Sequence, residues 1–285
     1  MLAATYKHTP RLAKNFDAYD SLIMDASTLL LPTPRSASLT DRSALLDYDA
    51  PPIRELVAGR GWHLLSTSAQ IGAIYSFVRD EIKFGYNIAD DLPASLVLAD
   101  GYGQCNTKAT LLMALLRSLG IPCRLHGFTV DKQLQRGIVP EIAYAIAPRE
   151  ILHSWVEVAH EGAWINLEGF ILDVPYLKVL ERAVGKGRGI CGFGAGTDDL
   201  DPDEVQWRGR DTYIQHRAIV DDLGRFDTPD AFYGQHGQRF SAIQSLLYRY
   251  VVRHWMNWRV ERVRAGRPWS CPGVELAALP ARGNG

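Results

Sequence analysis

One segment constrains the fold of this chain more than any other. Residues 106–119 place apolar side chains on nearly every face of a helix, and a helix of that kind must be buried. The breaker-rich stretch 100–103 precedes the run, and Gly120 with Pro122 ends it. The other elements must therefore pack around a central helix, and Cys105 stands at its entry.

The segments around this helix indicate mixed secondary structure. Upstream, apolar residues recur at helical spacing over 71–82, which predicts an amphipathic helix capped by a hydroxyl residue at 66–68. Downstream, three segments have strand composition, and a hairpin-length loop containing glycine joins the last two: 123–130, 151–158 and 164–167. A helix, a buried helix and then antiparallel strands predict an α+β fold and not repeated βαβ units.

Composition and charge exclude several classes of protein. Hydrophobic residues make up 47% of the 285 residues, enough to bury a core, which excludes intrinsic disorder. The formal net charge of −1 gives no global field for nucleic acid or an anionic membrane. Four cysteines without CxxC spacing exclude a disulfide scaffold, a zinc ribbon and a dithiol redox site. With neither a signal-like nor a membrane-spanning apolar run, we expect a cytoplasmic protein with free thiols.

The sequence divides into three parts that we expect to form one unit. Residues 1–60 are rich in helix breakers and predict an extension packed on the core, with a short strand over 21–24. Residues 61–180 hold the core, and 181–285 form a C-terminal extension. Within that extension the glycine-dense segment 185–196 predicts a mobile loop that could close over a cleft.

A final helix is predicted over 240–264, where arginines alternate with aromatic residues. Such a helix can form a membrane-surface or nucleic-acid stripe. Alternatively, it packs Trp255 and Trp258 on the core and leaves its arginines solvated or paired with the acidic segment 198–204. The near-neutral charge of the whole chain favours the second interpretation.

The position of Cys105 has a chemical use. Unpaired N–H groups and the positive end of a helix dipole favour a thiolate over a thiol. The same N–H groups can stabilise an oxyanion that forms beside the sulfur, and the Cys105 N–H is the expected donor. The alternative is a small, buried core cysteine without a chemical role.

A nucleophilic thiol needs a base and a group that orients the base. His153 begins a strand whose alternation places His153, Trp155 and Glu157 on one face. If this strand pairs with 164–167, Glu168 arrives beside the start of the His153 strand and can accept from one ring nitrogen. The alternative is a surface histidine on an edge strand with a solvated turn carboxylate.

Three blocks of sequence resemble the transglutaminase-like superfamily, over roughly residues 65–175. Segment 103–124 reads GQCNTKATLLMALLRSLGIPCR and is similar to the family's helix-heading Gly-x-Cys followed by Leu-Arg-x-Leu-Gly-Ile-Pro-x-Arg. HSWVEV at 153–158 resembles its His-x-Trp-x-Glu-Val strand, and WINLE at 164–168 its Trp-x-x-x-Asp segment.

The resemblance implies a papain-like fold, with the cysteine helix packed on an antiparallel sheet that carries the histidine and the acid. It also implies Cys105 as nucleophile, His153 as general base and acid, and Glu168 as the orienting carboxylate. The family more often has Asp at the third position, so Asp173 is the alternative to Glu168.

Four further residues are weaker candidates for the substrate side of the site. Gln104 could point toward the oxyanion or simply belong to the turn, and the same holds for Tyr102. His126 could line the cleft or be a packed core histidine, and Trp155 is expected to pack beside the site. The glycine-rich segment lacks the strand–helix context and the GxxxxGK[ST] pattern of a nucleotide site, so no cofactor or metal is expected.

Together these patterns predict a thiol hydrolase that cleaves a peptide, amide or related acyl bond through a thioester. The alternatives are an acyltransferase or transglutaminase with an amine acceptor, and a non-catalytic binding module of the same fold. The expected partner is a peptide or small-molecule substrate, and neither nucleic acid nor a membrane. We expect the walls that select this substrate to lie in 1–60 and 181–285, since specificity comes from the pocket and not from the fold.

Overall fold

The computed structural model describes residues 38–237 and 242–276. Its helices are α1 Pro51–Arg60, α2 Thr67–Asp80, α3 Ala94–Asp100, α4 Cys105–Ser118, α5 Glu141–Ile146, α6 Val174–Val184, α7 Pro229–Gln235, α8 Ala242–Leu247 and α9 Arg253–Arg264, and a π-helical turn, Tyr248–Val252, joins the last two. The strands are β1 Lys83–Phe84, β2 Tyr102–Gly103, β3 Cys123–Asp131, β4 Glu150–His160, β5 Ala163–Leu167, β6 Ile190–Gly192, β7 Ala195–Thr197 and β8 Ile219–Phe226.

Helix α4 is the centre of the core. Every residue from 106 to 117 is buried, including polar ones such as Lys108. This confirms the helix predicted over 106–119, which begins at Cys105 because Gln104 caps it. Helices α2 and α3 and strand β4 pack directly against α4.

An antiparallel sheet with the strand order β5-β4-β3-β8 covers the central helix. All three predicted strands are present, and the predicted hairpin joins β4 to β5 with Val156 opposite Leu167. This register brings Glu168, the residue after β5, back toward the beginning of β4. Helices and an antiparallel sheet around one core form the α+β, transglutaminase-like fold that the sequence predicts.

The amphipathic helix predicted over 71–82 is α2, which buries Ile71, Ile74 and Val78 against α4. Ser66 occupies the N-cap position, but its side chain accepts no backbone hydrogen bond there. Ile82 lies just beyond the helix end and is buried.

The prediction of a mobile loop over 185–196 is wrong for its second half. Strands β6 and β7 form a hairpin whose two-residue turn has φ 52° at Phe193 and φ 78° at Gly194, as in a type I′ turn. The turn is buried: Phe193 is fully inaccessible, and its N–H donates to the carbonyl of Arg136 over 2.7 Å. A buried tip cannot serve as a lid, so the glycines here meet the demands of turn geometry.

The final helix is present, but it does not pack as predicted. Trp255 and Trp258 are about half exposed, whereas Met256, Val260 and Val263 face the core. The arginines of α9 do not pair with 198–204. Arg264 instead forms an ion pair with buried Asp173, with Nη2 and Oδ2 2.6 Å apart, and Arg259 and Arg262 lie over tryptophan rings.

The described residues all belong to one compact unit. The division at 60 and 180 stays a prediction. The short strand predicted over 21–24 lies outside the described residues.

Candidate active site

Cys105 is the first residue of α4, and the cap of that helix leaves its N–H free. Gln104 and Thr107 form a reciprocal capping box, in which the side chain of Gln104 accepts from the Thr107 N–H and Thr107 Oγ1 accepts from the Gln104 N–H. Within the described residues, the N–H groups of Cys105 and Asn106 have no acceptor. Two unpaired donors at a helix N-terminus beside a thiol can bind a developing oxyanion.

His153 and Glu168 meet inside the protein, where both side chains are fully buried. His153 Nε2 and Glu168 Oε1 are 2.8 Å apart. The register of β4 and β5 makes this contact, because the chain leaves β5 at Leu167 and places Glu168 beside the beginning of β4. Asp173, the alternative carboxylate, is instead the N-cap of α6 and the partner of Arg264.

Glu168 is held by backbone donors as well as by the histidine. Its Oε2 accepts from the N–H groups of Ile214 and Gln215, at 2.7 and 2.9 Å. The segment that carries these donors runs beside β5, with the Glu168 N–H bonded to the carbonyl of Thr212. A carboxylate fixed at both oxygens can orient the imidazole without rotating.

The other ring nitrogen of His153 is turned toward the thiol. Nδ1 is buried and has no hydrogen bond of standard geometry within the described residues. Burial lowers the pKa of His153, but the interactions with Cys105 and with Glu168 outweigh burial and raise the pKa from 6.5 to about 10. A histidine with this pKa is an imidazolium at neutral pH and can form an ion pair with a thiolate.

Asn106 ties the helix of the thiol to the strand of the histidine. Its Oδ1 accepts from the hydroxyl of Ser154 at 2.9 Å, and its Nδ2 donates to the carbonyl of Leu152 at 3.4 Å. These two partners are the neighbours of His153 in β4. The residue after the thiol therefore fixes the strand on both sides of the imidazole.

A cavity of about 590 Å³ is lined by Cys105 and His153. Its walls come from the loop at 84–91, from 130–152 and from 245–256. Most of the wall side chains in the last two segments are apolar, including Val130, Leu134, Val139, Ile151, Leu152, Leu246, Leu247, Val252 and Met256.

The prediction for the cavity walls is correct only in part. The C-terminal part does contribute, but no described residue of 1–60 lines the cavity. The wall at 130–152 belongs to the predicted core, where the chain runs from β3 to β4, the strand that carries His153. Sequence periodicity could not find it, because its α-helix, α5, has six residues and buries none of them.

Of the four predicted substrate-side residues, the structure places Gln104 in the cavity wall. Its amide is engaged, with Oε1 accepting from Asn87 N–H and Nε2 donating to Asp90, both at 2.9 Å. Tyr102 lies outside the cavity, and its hydroxyl accepts from Arg253 over 3.2 Å.

His126 and Trp155 also lie outside the cavity, so the structure places them in packing positions, which was the alternative open for His126 and the expectation for Trp155. They stand opposite each other in the register of β3 and β4, with ring centroids 5.2 Å apart. His126 lies 2.8 Å from Glu157 and 2.9 Å from Asp222, so it belongs to a buried charge cluster. Trp155 packs on Phe128 and donates to Asn166.

Sequence reasoning missed several polar residues of the cavity wall: Tyr86, Asp90, Gln215, Tyr233 and Tyr248. They come from four separate segments, so no spacing pattern connects them. The sequence did contain one indication that Asp90 lies near the thiol, because the acidic pair at 90–91 is close in sequence to the start of the cysteine helix. Within the described ranges, no cluster of His, Cys, Asp and Glu has the composition of a metal site. No described helix combines the length and the apolar content required to cross a bilayer.

The comparison with protein families identifies the class of this domain. Residues 63–169 match the family model of the transglutaminase-like superfamily. The chain therefore contains a domain of that superfamily, and the match spans all three residues of the Cys105–His153–Glu168 constellation.

A comparison with solved structures finds a crystal structure from Cytophaga hutchinsonii described as a "putative cysteine protease". The two chains share 14% identity with a TM-score of 0.38, over 68% of this chain and 47% of the other. This chain thus spans just under half of the length of that protein. No functionally curated protein matches the chain.

Proposed function

We propose that this protein is a thiol hydrolase that cleaves a peptide, amide or related acyl bond. The observation that carries the proposal is the placement of His153 between the thiol of Cys105 and the buried carboxylate of Glu168. A nucleophile, a base and a carboxylate that orients the base, placed next to one another in this order, are typical of enzymes that use covalent catalysis. Its position in the wall of a large cavity gives a substrate access to the sulfur.

In the proposed reaction, the Cys105 thiolate attacks the acyl carbon, and a C–S bond forms. The carbonyl oxygen becomes an oxyanion facing the N–H groups of Cys105 and Asn106. When the tetrahedral intermediate collapses, the bond to the leaving group breaks, and the leaving group takes a proton from the His153 imidazolium. Water then attacks the thioester while His153 accepts its proton; the C–S bond breaks, and the acid product leaves.

Alkylation with iodoacetamide tests the thiolate–imidazolium pair without a known substrate. At roughly pH 6 an ordinary thiol is almost entirely protonated and reacts slowly. Cys191 and Cys271 are matched internal controls, because both are partly exposed like Cys105 and burial raises the pKa of each thiol. We expect Cys105 to be labelled at least about tenfold faster than these controls, as measured by mass spectrometry of each cysteine peptide.

Two variants assign that reactivity to the constellation. His153→Gln should reduce the labelling of Cys105 to the level of the controls, and Glu168→Gln should reduce it less, because the imidazole keeps its place but loses its orienting charge. Labelling of Cys105 no faster than Cys191 and Cys271 would contradict the proposal and favour a non-catalytic binding module. An unchanged rate in His153→Gln would contradict the role of the histidine.

A further inference from the structure

The cavity beside Cys105 contains a carboxylate that forms no ion pair within the described residues. Asp90 lines the cavity, and its Oδ1 accepts from Gln104 Nε2 at 2.9 Å. Burial raises the pKa of Asp90, and the groups that oppose this shift are the amides of Gln104 and Asn106. Arg249 and His153 line the same cavity, but neither is paired with Asp90. Burial makes the charge of Asp90 costly, and a cationic ligand offsets that cost.

Three tyrosines line the same cavity around this carboxylate: Tyr86, Tyr233 and Tyr248. Burial raises the pKa of each hydroxyl, and the charge of Asp90 raises all three further. Cys105 lines the same cavity, so the tyrosines, the carboxylate and the nucleophile share one wall surface. Aromatic rings with a carboxylate form a common environment for organic cations.

An uncharged acceptor in the wall adds to this. Gln215 Oε1 is buried and has no hydrogen-bond partner within the described residues, while its Nε2 donates to the carbonyl of Gly194. Asp90 and Gln215 Oε1 are both acceptors, as an ammonium ligand requires. Buried polar atoms without partners in a cavity wall indicate where a ligand makes its hydrogen bonds.

We infer that this part of the cavity is a cation subsite, in which Asp90 and the tyrosines select substrates that carry an ammonium group on an apolar body. This inference rests on the proposed function, since it assigns the substrate class of the same thiol. The apolar walls at 130–152 and 245–256 bind the body, and Asp90 binds the ammonium group near the acyl carbon. A neutral or acidic analogue of equal length leaves the carboxylate uncompensated.

Matched chloroacetamides test the subsite on Cys105. The three probes carry an aminobutyl, a pentyl or a carboxybutyl chain, so that they differ in terminal charge at nearly constant length. Each rate is divided by the rate of the same probe with glutathione. We expect the aminobutyl probe to alkylate Cys105 roughly tenfold faster than the pentyl probe, a preference of about 1.4 kcal/mol, and the carboxybutyl probe to be the slowest.

Two variants test whether Asp90 causes the preference for the aminobutyl probe. Asp90→Asn keeps an acceptor for Gln104 and should bring the aminobutyl-to-pentyl ratio close to one; because both probes are measured in one variant, any change in thiol reactivity cancels. Asp203→Asn is the matched control, since it removes the same charge at an exposed position outside the cavity and should keep the ratio. A ratio near one in the wild type, or an equal fall in both variants, would overturn the subsite.

A binding experiment in Cys105→Ala separates this inference from the chemistry of the thiol. Pentylammonium chloride should shift the ring resonances of Tyr86 and Tyr233 saturably in an NMR titration, and pentanol should not. Asp90→Asn on the same background should weaken the affinity at least about tenfold. Saturable binding with an unreactive Cys105 in the wild type would support the subsite and contradict the hydrolase. Equal affinity for pentylammonium in the Asp90→Asn background would overturn the subsite and leave the hydrolase standing.

Discussion

At the scale of single residues, the proposed mechanism depends most on the charge of His153. A fully buried histidine is normally neutral, because removing the charged form from water is costly. Here the ring has a carboxylate at Nε2 and a thiol on the side of Nδ1, and the pKa rises to about 10 in spite of burial. The charge on this ring therefore depends on its two partners, and each partner can be removed separately.

We predict that removing the thiol lowers the pKa of His153. Of the interactions that raise this pKa, those with Cys105 are the largest, so Cys105→Ala should move the titration midpoint of the imidazole below about 10 and toward its ordinary 6.5. An NMR pH titration of isotopically labelled His153 measures this midpoint directly.

The raised pKa of His153 also determines how the stability of the protein changes with pH. A histidine with a raised folded-state pKa stabilises the protein fully below pH 6.5, and this stabilisation is lost as the pH rises through about 10. The difference in unfolding free energy between wild type and Cys105→Ala should therefore shrink between these two values. A His153 midpoint that is the same in both proteins would contradict the pairing with the thiol.

At the scale of secondary-structure elements, the junction of α4 with β4 determines whether the thiol and the imidazole meet. Asn106 makes this junction by bonding Ser154 and the carbonyl of Leu152, on either side of His153. Asn106 is a positioning residue, because neither of its side-chain bonds involves Cys105 or the imidazole.

We predict that Asn106→Leu lowers the alkylation rate of Cys105 by more than a variant with the same loss of stability would. The substitution leaves the Ser154 hydroxyl without its acceptor, which should cost about 1–3 kcal/mol of unfolding free energy. The control is Thr110→Val, which removes a comparable buried hydrogen bond one turn further along α4. If both variants lose stability and keep wild-type alkylation rates at roughly pH 6, Asn106 has only a structural role.

The elements also show which features a sequence predicts. The central helix and strands β3, β4 and β5 were predictable, because apolar periodicity follows local rules. The roles of Cys105, His153 and Glu168 were inferred from the resemblance of three sequence blocks to a known family. The 190–197 hairpin was not, since its glycines were interpreted as flexibility although a type I′ turn needs residues with positive φ. Turn chemistry at Phe193–Gly194 was the signal that could have found it.

At the scale of the whole molecule, the net charge of −1 conceals strong local charges. The net charge could not indicate the carboxylate in the cavity, because Asp90 and the tyrosines come to one cavity only through tertiary packing. The same limitation applied to the segment 130–152. Chemistry within one helix–strand unit was predictable, and the substrate-facing surface, assembled from distant segments, was not.

Lys108 gives a prediction for the stability of the whole fold. Its Nζ donates to the carbonyls of Ile171 and Arg79, and burial lowers its pKa from 10.5 to about 7, although Asp173 and Asp80 oppose the shift. The unfolded chain then binds more protons than the folded one between these values. The stability of the wild type should therefore rise with pH from about 7 to 10.5, relative to Lys108→Met.

Urea unfolding at a series of pH values measures this difference. The slope cannot exceed about 1.4 kcal/mol for each pH unit, because one proton is involved. Lys83→Met is the control, since Lys83 is exposed, and its removal should leave the pH dependence of the wild type unchanged. Parallel stability curves for wild type and Lys108→Met would show that Lys108 keeps its proton in the folded state.

Trapping of an acyl-enzyme tests the central claim most directly. The protein is mixed with p-nitrophenyl acetate and quenched in acid at successive times, and mass spectrometry locates the acetyl group among the four cysteines. We predict that acetyl-Cys105 forms first, is then hydrolysed, and fails to accumulate in His153→Gln, while Cys123, Cys191 and Cys271 stay unmodified. Acetylation that is spread over the exposed cysteines, or acetyl-Cys105 that forms equally fast in His153→Gln, would contradict the account.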